Sequence, residues 1–260
     1  MRLLSLILAL LFIEPDTVPA PKVIPREKGS IQVSASGKQQ RWTADWTMEP
    51  AIDHGLPAVH FTEVGRGQYS GFNEPISWTI DAVWSSDRVF RPLRLEKTIK
   101  NSSGQVIGTE RKIFDPAKDS VEFVLTREGR ATESRHFATP ADTLAPEGIV
   151  GIMRFLPFDN WRPITVHLFS NEPKLYEMKI EMKGRERVRT PAGEFDCYKI
   201  ELVPQLGALN LVKGLFPKAI FWFTAAPPHF WVKYEGPESG AGTPHVVMEL
   251  KTYEPQRATN

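Results

Sequence analysis

The stretch Tyr176 to Val203 constrains the fold more than any other. Tyr176, Met178, Ile180 and Met182 alternate with Glu177, Lys179, Glu181 and Lys183. A period of two places the apolar side chains on one face of a strand and the charges on the other. Gly184 breaks the alternation, as a bend or bulge would. Thr190-Pro191-Ala192-Gly193 then supplies a turn, with proline presetting φ and glycine free to take positive φ at the exit. Tyr198, Ile200 and Leu202 resume the alternation on the return strand. The reading is an antiparallel hairpin with one wet face and one dry face.

Similar pieces recur along the chain. Trp42, Trp46 and Met48 share one parity, as do Ile76, Trp78, Ile80, Ala82 and Trp84. Leu93, Leu95, Lys97 and Ile99 alternate against Arg94, Glu96 and Thr98, and Val106–Phe114 returns from the turn at Asn101-Ser102-Ser103-Gly104. Ser120–Thr126 and Arg130–Phe137 form a third pair around Glu128-Gly129. Three more strands, Ile220–Phe223, Phe230–Tyr234 and Val246–Tyr253, close the chain. The 22 prolines punctuate it as short strands require. Only Thr139 to Pro157 leaves this rhythm. Thr139 has the form of a helix cap with Pro140 in first position, and Pro146 restarts a helix. Ile149, Ile152, Met153 and Leu156 fall at helical spacing, and Pro157 ends it. The segment 205–217 is apolar with weak periodicity, a short helix or an apolar loop. The fold class is therefore mainly β, with one or two short helices covering the sheet.

The first twenty residues have the form of a signal peptide: Arg2, then an apolar run from Leu3 to Ile13, then Val18-Pro19-Ala20 as small residues for cleavage. The same run could instead serve as an uncleaved anchor. With no cysteine nearby, a lipoprotein anchor is not expected, and no later run is long enough to span a bilayer. Residues 21–30 read as a proline-rich, charged leader, 31–254 as a single β-rich domain and 255–260 as a tail. The expected location is the periplasm or the exterior of a bacterial-type cell, with no transmembrane anchor after cleavage.

A formal net charge of +1 gives no general field for nucleic acid, so no such partner is expected. There is no nucleophile elbow, paired zinc-binding histidines on a helix, phosphate-cradling loop or dinucleotide fingerprint. The six histidines stand singly, and the one cysteine, Cys197, reads as a small apolar filler. No catalytic residue, metal ligand or cofactor is assigned. The run Arg185, Glu186, Arg187 and Arg189 is read as a solvated face with cross-strand ion pairs, against an anion-binding patch. Seven tryptophans and 15 phenylalanines are more aromatic surface than one helix covers, and a concave sheet can hold an apolar ligand.

Gly184, Glu186, Val188, Thr190, Pro191, Ala192, Gly193 and Phe195, followed by FWFTAAPPHFWVKYEG and a final strand closing on Leu250 to Tyr253, resemble the bacterial exported family called domain of unknown function 3108. The likeness covers about the C-terminal half. It implies a periplasmic protein with a strongly curved antiparallel sheet, an open half-barrel like that of the lipoprotein carriers. It carries over no catalytic residue. The expectation is a non-enzymatic binding or carrier protein for an apolar or amphiphilic ligand such as lipid, with 205–217 as a lid. Its pocket is expected at Met178, Ile180, Met182, Ile200, Leu202, Phe221, Phe223 and Met153. The alternatives are a structural or interaction module with an envelope-protein partner, and an exported hydrolase.

Overall fold

The computed structural model of the protein describes residues 17–35, 39–205, 218–240 and 242–256. The N-terminal strands are β1 (Arg26–Ala35), β2 (Gln40–Asp53), β3 (Leu56–Gly67), β4 (Ile76–Ser85), β5 (Arg91–Lys100), β6 (Val106–Asp115), β7 (Ser120–Arg127) and β8 (Glu133–Ala138). A connection carries β9 (Thr143–Leu144), helix α1 (Ile149–Met153) and a 3-10 turn at Phe158–Asn160. Then come β10 (Ile164–Phe169), β11 (Leu175–Thr190), β12 (Gly193–Pro204), β13 (Ala219–Thr224), β14 (Trp231–Pro237) and β15 (His245–Gln256).

Among the described residues these strands make one sheet in the order β8-β7-β6-β5-β4-β3-β2-β1-β15-β14-β13-β12-β11-β10-β9. Two antiparallel meanders are joined where the first strand pairs with the last, and only β9 on β10 is parallel. No ladder joins β8 to β9, so the sheet is open. It is nevertheless curved far enough for its two ends to touch. The Phe169 ring on β10 packs at 5.3 Å from Phe137 on β8, 6.1 Å from Phe114 on β6 and 6.5 Å from Phe123 on β7. Side chains close what the backbone leaves open.

The strand register explains the curvature's lining. Trp46, Glu63, Ile80, Lys97 and Glu110 are successive cross-strand partners from β2 to β6. The next row is Ala44, Gly65, Trp78 and Ile99. Gly65 has no side chain because the Trp78 indole lies over it: an added Cβ would come within 2.1 Å of the ring. Gly65→Ala is accordingly expected to lower stability by about 1–3 kcal/mol through overpacking, read as a shift in the denaturant midpoint at unchanged m-value.

In the central hairpin the register slips between Met182 and Gly184, and Gly184 takes φ 121°. One extra residue reverses the facing of everything beyond it. Before the bulge, Met178 and Ile180 point into the main core. After it, Val188 joins Cys197, Trp222 and Val232 in a small cluster on the opposite face.

Several boundaries differ from the sequence reading. β1 begins at Arg26, inside the stretch read as a leader, and β15 runs to Gln256, into the expected tail. Val18 is fully buried, the Ala20 N–H donates to the Arg88 carbonyl (2.8 Å) and the Phe90 N–H to that of Val18 (2.9 Å). The last residues of the expected signal sequence thus pack against the domain, and Met1–Asp16 lie outside the described residues. Thr139 caps no helix: its N–H bonds the Asp119 carbonyl, and Thr143 is extended. The helix is confined to Ile149–Met153, starting after Gly148 at φ 77°. A glycine in the left-handed region sets the chain direction here, because a Cβ would press on Trp84 and Phe61. Of the expected lid 205–217, residues 206–217 lie outside the described residues.

Candidate functional site

The concave face holds a cavity of about 450 Å³ between the sheet and the segment carrying α1. Its wall is largely aromatic: Trp42, Trp46, Phe61, Tyr69, Trp78, Phe221, Phe230, Trp231 and Tyr234 all contribute. Three of them form one cluster, with Trp42 and Trp78 edge to face at 5.1 Å and Tyr69 5.9 and 5.1 Å from them. Rings in this arrangement pack their positive edges on their neighbours' negative faces.

The wall also carries buried charge, most of it paired. Arg154, just past α1, donates to Glu27 on β1 and through Nε and Nη2 to the Pro228 carbonyl at 3.0 and 2.7 Å. Tyr253 donates to the other Glu27 oxygen at 2.7 Å. Glu238 accepts from Arg41 (3.0 and 3.3 Å), the Trp42 indole (2.8 Å) and the Ser70 N–H (2.7 Å). Glu147 accepts from Lys112 at 2.6 Å, and Asn171 and Glu110 share that ammonium at 3.0 and 3.1 Å. These contacts tie the covering segment to both meanders.

At the other end of the row, Glu63 accepts the Trp78 indole N–H at 2.9 Å and no second hydrogen bond among the described residues. Lys97 lies over the Tyr69 ring at 4.3 Å and the Trp78 ring at 5.8 Å. Both side chains sit deep in the protein, and they retain accessible surface because they line the cavity. Burial raises the Glu63 pKa, more than the Trp78 hydrogen bond and the Lys97 charge lower it. Burial disfavours the charge on Lys97, but Tyr69, Glu110, Glu63 and Glu147 together hold its pKa above the ordinary lysine value. Two further polar atoms of the lining, Trp231 Nε1 and Glu147 Oε2, are buried without a hydrogen-bond partner among the described residues. Polar atoms left so are uncommon in folded proteins.

The family model for the protein of unknown function DUF3108 matches residues 36–251. The chain belongs to this family. The match extends well upstream of the residues from which the resemblance was read. No curated protein matches the chain. Among solved structures it is similar to a Bacteroides fragilis NCTC 9343 protein described as exported and of YmcC-like fold. That match has TM-score 0.34 and 10% identity and covers 93% of this chain and 100% of that one. It is also similar to a Parabacteroides distasonis ATCC 8503 protein described as a lipoprotein, with TM-score 0.33, 11% identity and the same coverage.

Of the eight pocket positions expected in this DUF3108 chain, Met178, Leu202 and Phe221 line the cavity. The other five do not. Ile180, Ile200 and Phe223 lie further along the same face, fully buried beneath the covering segment. There the Phe158 ring stacks on Tyr198 at 4.8 Å and meets Phe223 at 5.9 Å, filling the space. Met153 is buried on α1, and Met182 is half-buried beside the bulge. Sequence reasoning missed the charged lining. One signal was available: Trp46, Glu63, Ile80 and Lys97 recur at a constant spacing, and Lys97 stood at an apolar-face position.

Among the described residues no three of His, Cys, Asp and Glu are grouped as metal ligands would be. No helix among them is long and apolar enough to cross a membrane. His167 is held by Asp142 at 2.9 Å, His229 by the Thr224 carbonyl at 2.9 Å and His60 by Asp81 at 2.8 Å. Arg187 stands 3.7 Å from Glu194 and 3.8 Å from Asp196 across the hairpin, and Lys199 3.4 Å from Glu186. Cys197 is fully buried, and burial, then the charges of Asp196 and Glu186, push its thiol up to about 12. Thiolate is the reactive form. Native protein at pH 8 is therefore expected to resist iodoacetamide for hours while unfolded protein reacts fully, measured by intact mass.

Proposed function

We propose that this protein is a non-enzymatic binding or carrier protein that takes an apolar or amphiphilic molecule, such as a lipid, into the concave cavity, and that it works outside the cytoplasm. One observation carries the reading: an aromatic-lined cavity of about 450 Å³ remains between the curved sheet and its covering segment. That volume falls in the range of about 300–1,000 Å³ common to small-molecule sites. A well-packed interior leaves few voids larger than water, so a space this size wants an occupant. The location rests on the N-terminal sequence, with its basic start and apolar run.

Native mass spectrometry of protein purified without detergent tests this reading. The expected result is a retained adduct that leaves on denaturation and extracts into organic solvent. Protein recovered only at its bare mass, and unable to take up an apolar probe afterwards, contradicts it.

A further inference from the structure

Among the described residues, one cation of the cavity lining has no carboxylate within ion-pair distance. Arg154 is committed to Glu27 and the Pro228 carbonyl. Arg41 is committed to Glu238, and Lys112 to Glu147. Lys97 lines the cavity with its ammonium over two aromatic faces and no carboxylate in ion-pair contact among the described residues. Glu63, Glu110 and Glu147 act on it only from further away. Glu63 instead accepts the Trp78 indole N–H and Glu110 stands 3.1 Å from Lys112, so both are engaged elsewhere; burial raises the pKa of each. A carboxylate or phosphate brought against the ammonium would add the short charge-assisted hydrogen bond that no carboxylate of the lining makes to it.

We propose that the guest is an anionic amphiphile whose head group sits on the Lys97 ammonium, with its apolar chain along Trp46, Phe61, Ile80 and Met178. This rests on the cavity being the binding site. The apolar part of the wall selects a chain, and the Lys97 ammonium, the one lining cation without a close carboxylate among the described residues, selects a negative head. The Tyr69 hydroxyl, which burial keeps protonated, stands beside Lys97 as a second polar group for that head. A carboxylate or a phosphate meets this description equally.

The test is displacement of N-phenyl-1-naphthylamine, an uncharged apolar fluorophore, from the full chain by palmitate, methyl palmitate and palmitoyl lysophosphatidate. Palmitate is expected to displace the probe about tenfold more effectively than its methyl ester, because a hydrogen bond to a charged group is at stake. Lys97→Met is expected to abolish that preference while still taking up the probe, and Lys97→Arg to keep it. Comparing palmitate with the lysophosphatidate assigns the head as carboxylate or phosphate. Equal displacement by acid and ester in the unaltered protein overturns the proposal, as does an undiminished preference in Lys97→Met. Failure of the unaltered protein to take up the probe overturns the cavity reading itself, and this inference with it. If Lys97→Met does not fold, loss of the preference in Lys97→Gln or its retention there decides the matter in the same way.

Discussion

Replacing Arg154 by methionine is expected to lower the free energy of unfolding by about 3–5 kcal/mol, because it leaves the Glu27 carboxylate buried without its cation. Both side chains are 2% exposed. Arg154 also supplies both donors to the Pro228 carbonyl, so the change frees a buried acceptor as well. Two distant parts of the chain lose their tie: β1, where the two meanders join, and the segment that roofs the cavity. The double replacement Glu27→Gln with Arg154→Met is expected to recover part of the loss, since an uncharged pair no longer strands a charge. Urea unfolding of the unaltered protein and the two variants measures this. A double variant as unstable as the single one would show that packing of the arginine stem, and not the charge, sets the cost.

Phe169→Ala is expected to cost about 3–5 kcal/mol, the range for a buried phenylalanine. The ring is fully buried and touches Phe114, Phe123 and Phe137. No backbone ladder holds the two ends of this sheet together, so those ring contacts stand in for one. In a domain of this size each kcal/mol lowers Tm by about 2–4 °C. The variant should also show faster amide exchange in β8 and β10 than in β1 and β15, because the loss is concentrated at the ends that meet. Uniform exchange across the sheet would mean that the ends do not depend on Phe169.

The strands were readable in the sequence because alternation and turn chemistry are local. Met178 and Ile180 inward, Lys179 outward, the Gly184 bulge and the Thr190–Gly193 turn all follow from neighbours in the chain. What the bulge does to Val188 was not readable, since its reversal shows only against a partner strand. β1 was missed at its start because Glu27 occupies an inward position, and its compensation, Arg154, lies 127 residues away. The same holds at the cavity. Glu63, Lys97 and Glu110 look like breaks in apolar faces until the register aligns them across β3, β5 and β6. The helix was overextended because Thr139-Pro140 mimics a cap, while long-range pairing to Asp119 and β10 holds that stretch extended. Three of the eight expected pocket positions, Ile180, Ile200 and Phe223, lie beyond the cavity for a related reason. Periodicity gives the face of a strand, not the point along it where Phe158 fills the space.

Uptake of N-phenyl-1-naphthylamine by detergent-free protein, compared with the same measurement on Ile80→Trp, tests the cavity most directly. Ile80 lies between Glu63 and Lys97 on the cavity wall, and an indole there would occupy the space a guest needs. Saturable one-to-one uptake by the unaltered protein, lost in Ile80→Trp at an unchanged far-UV spectrum, is the predicted result. No uptake by the unaltered protein, or equal uptake by both, would contradict it.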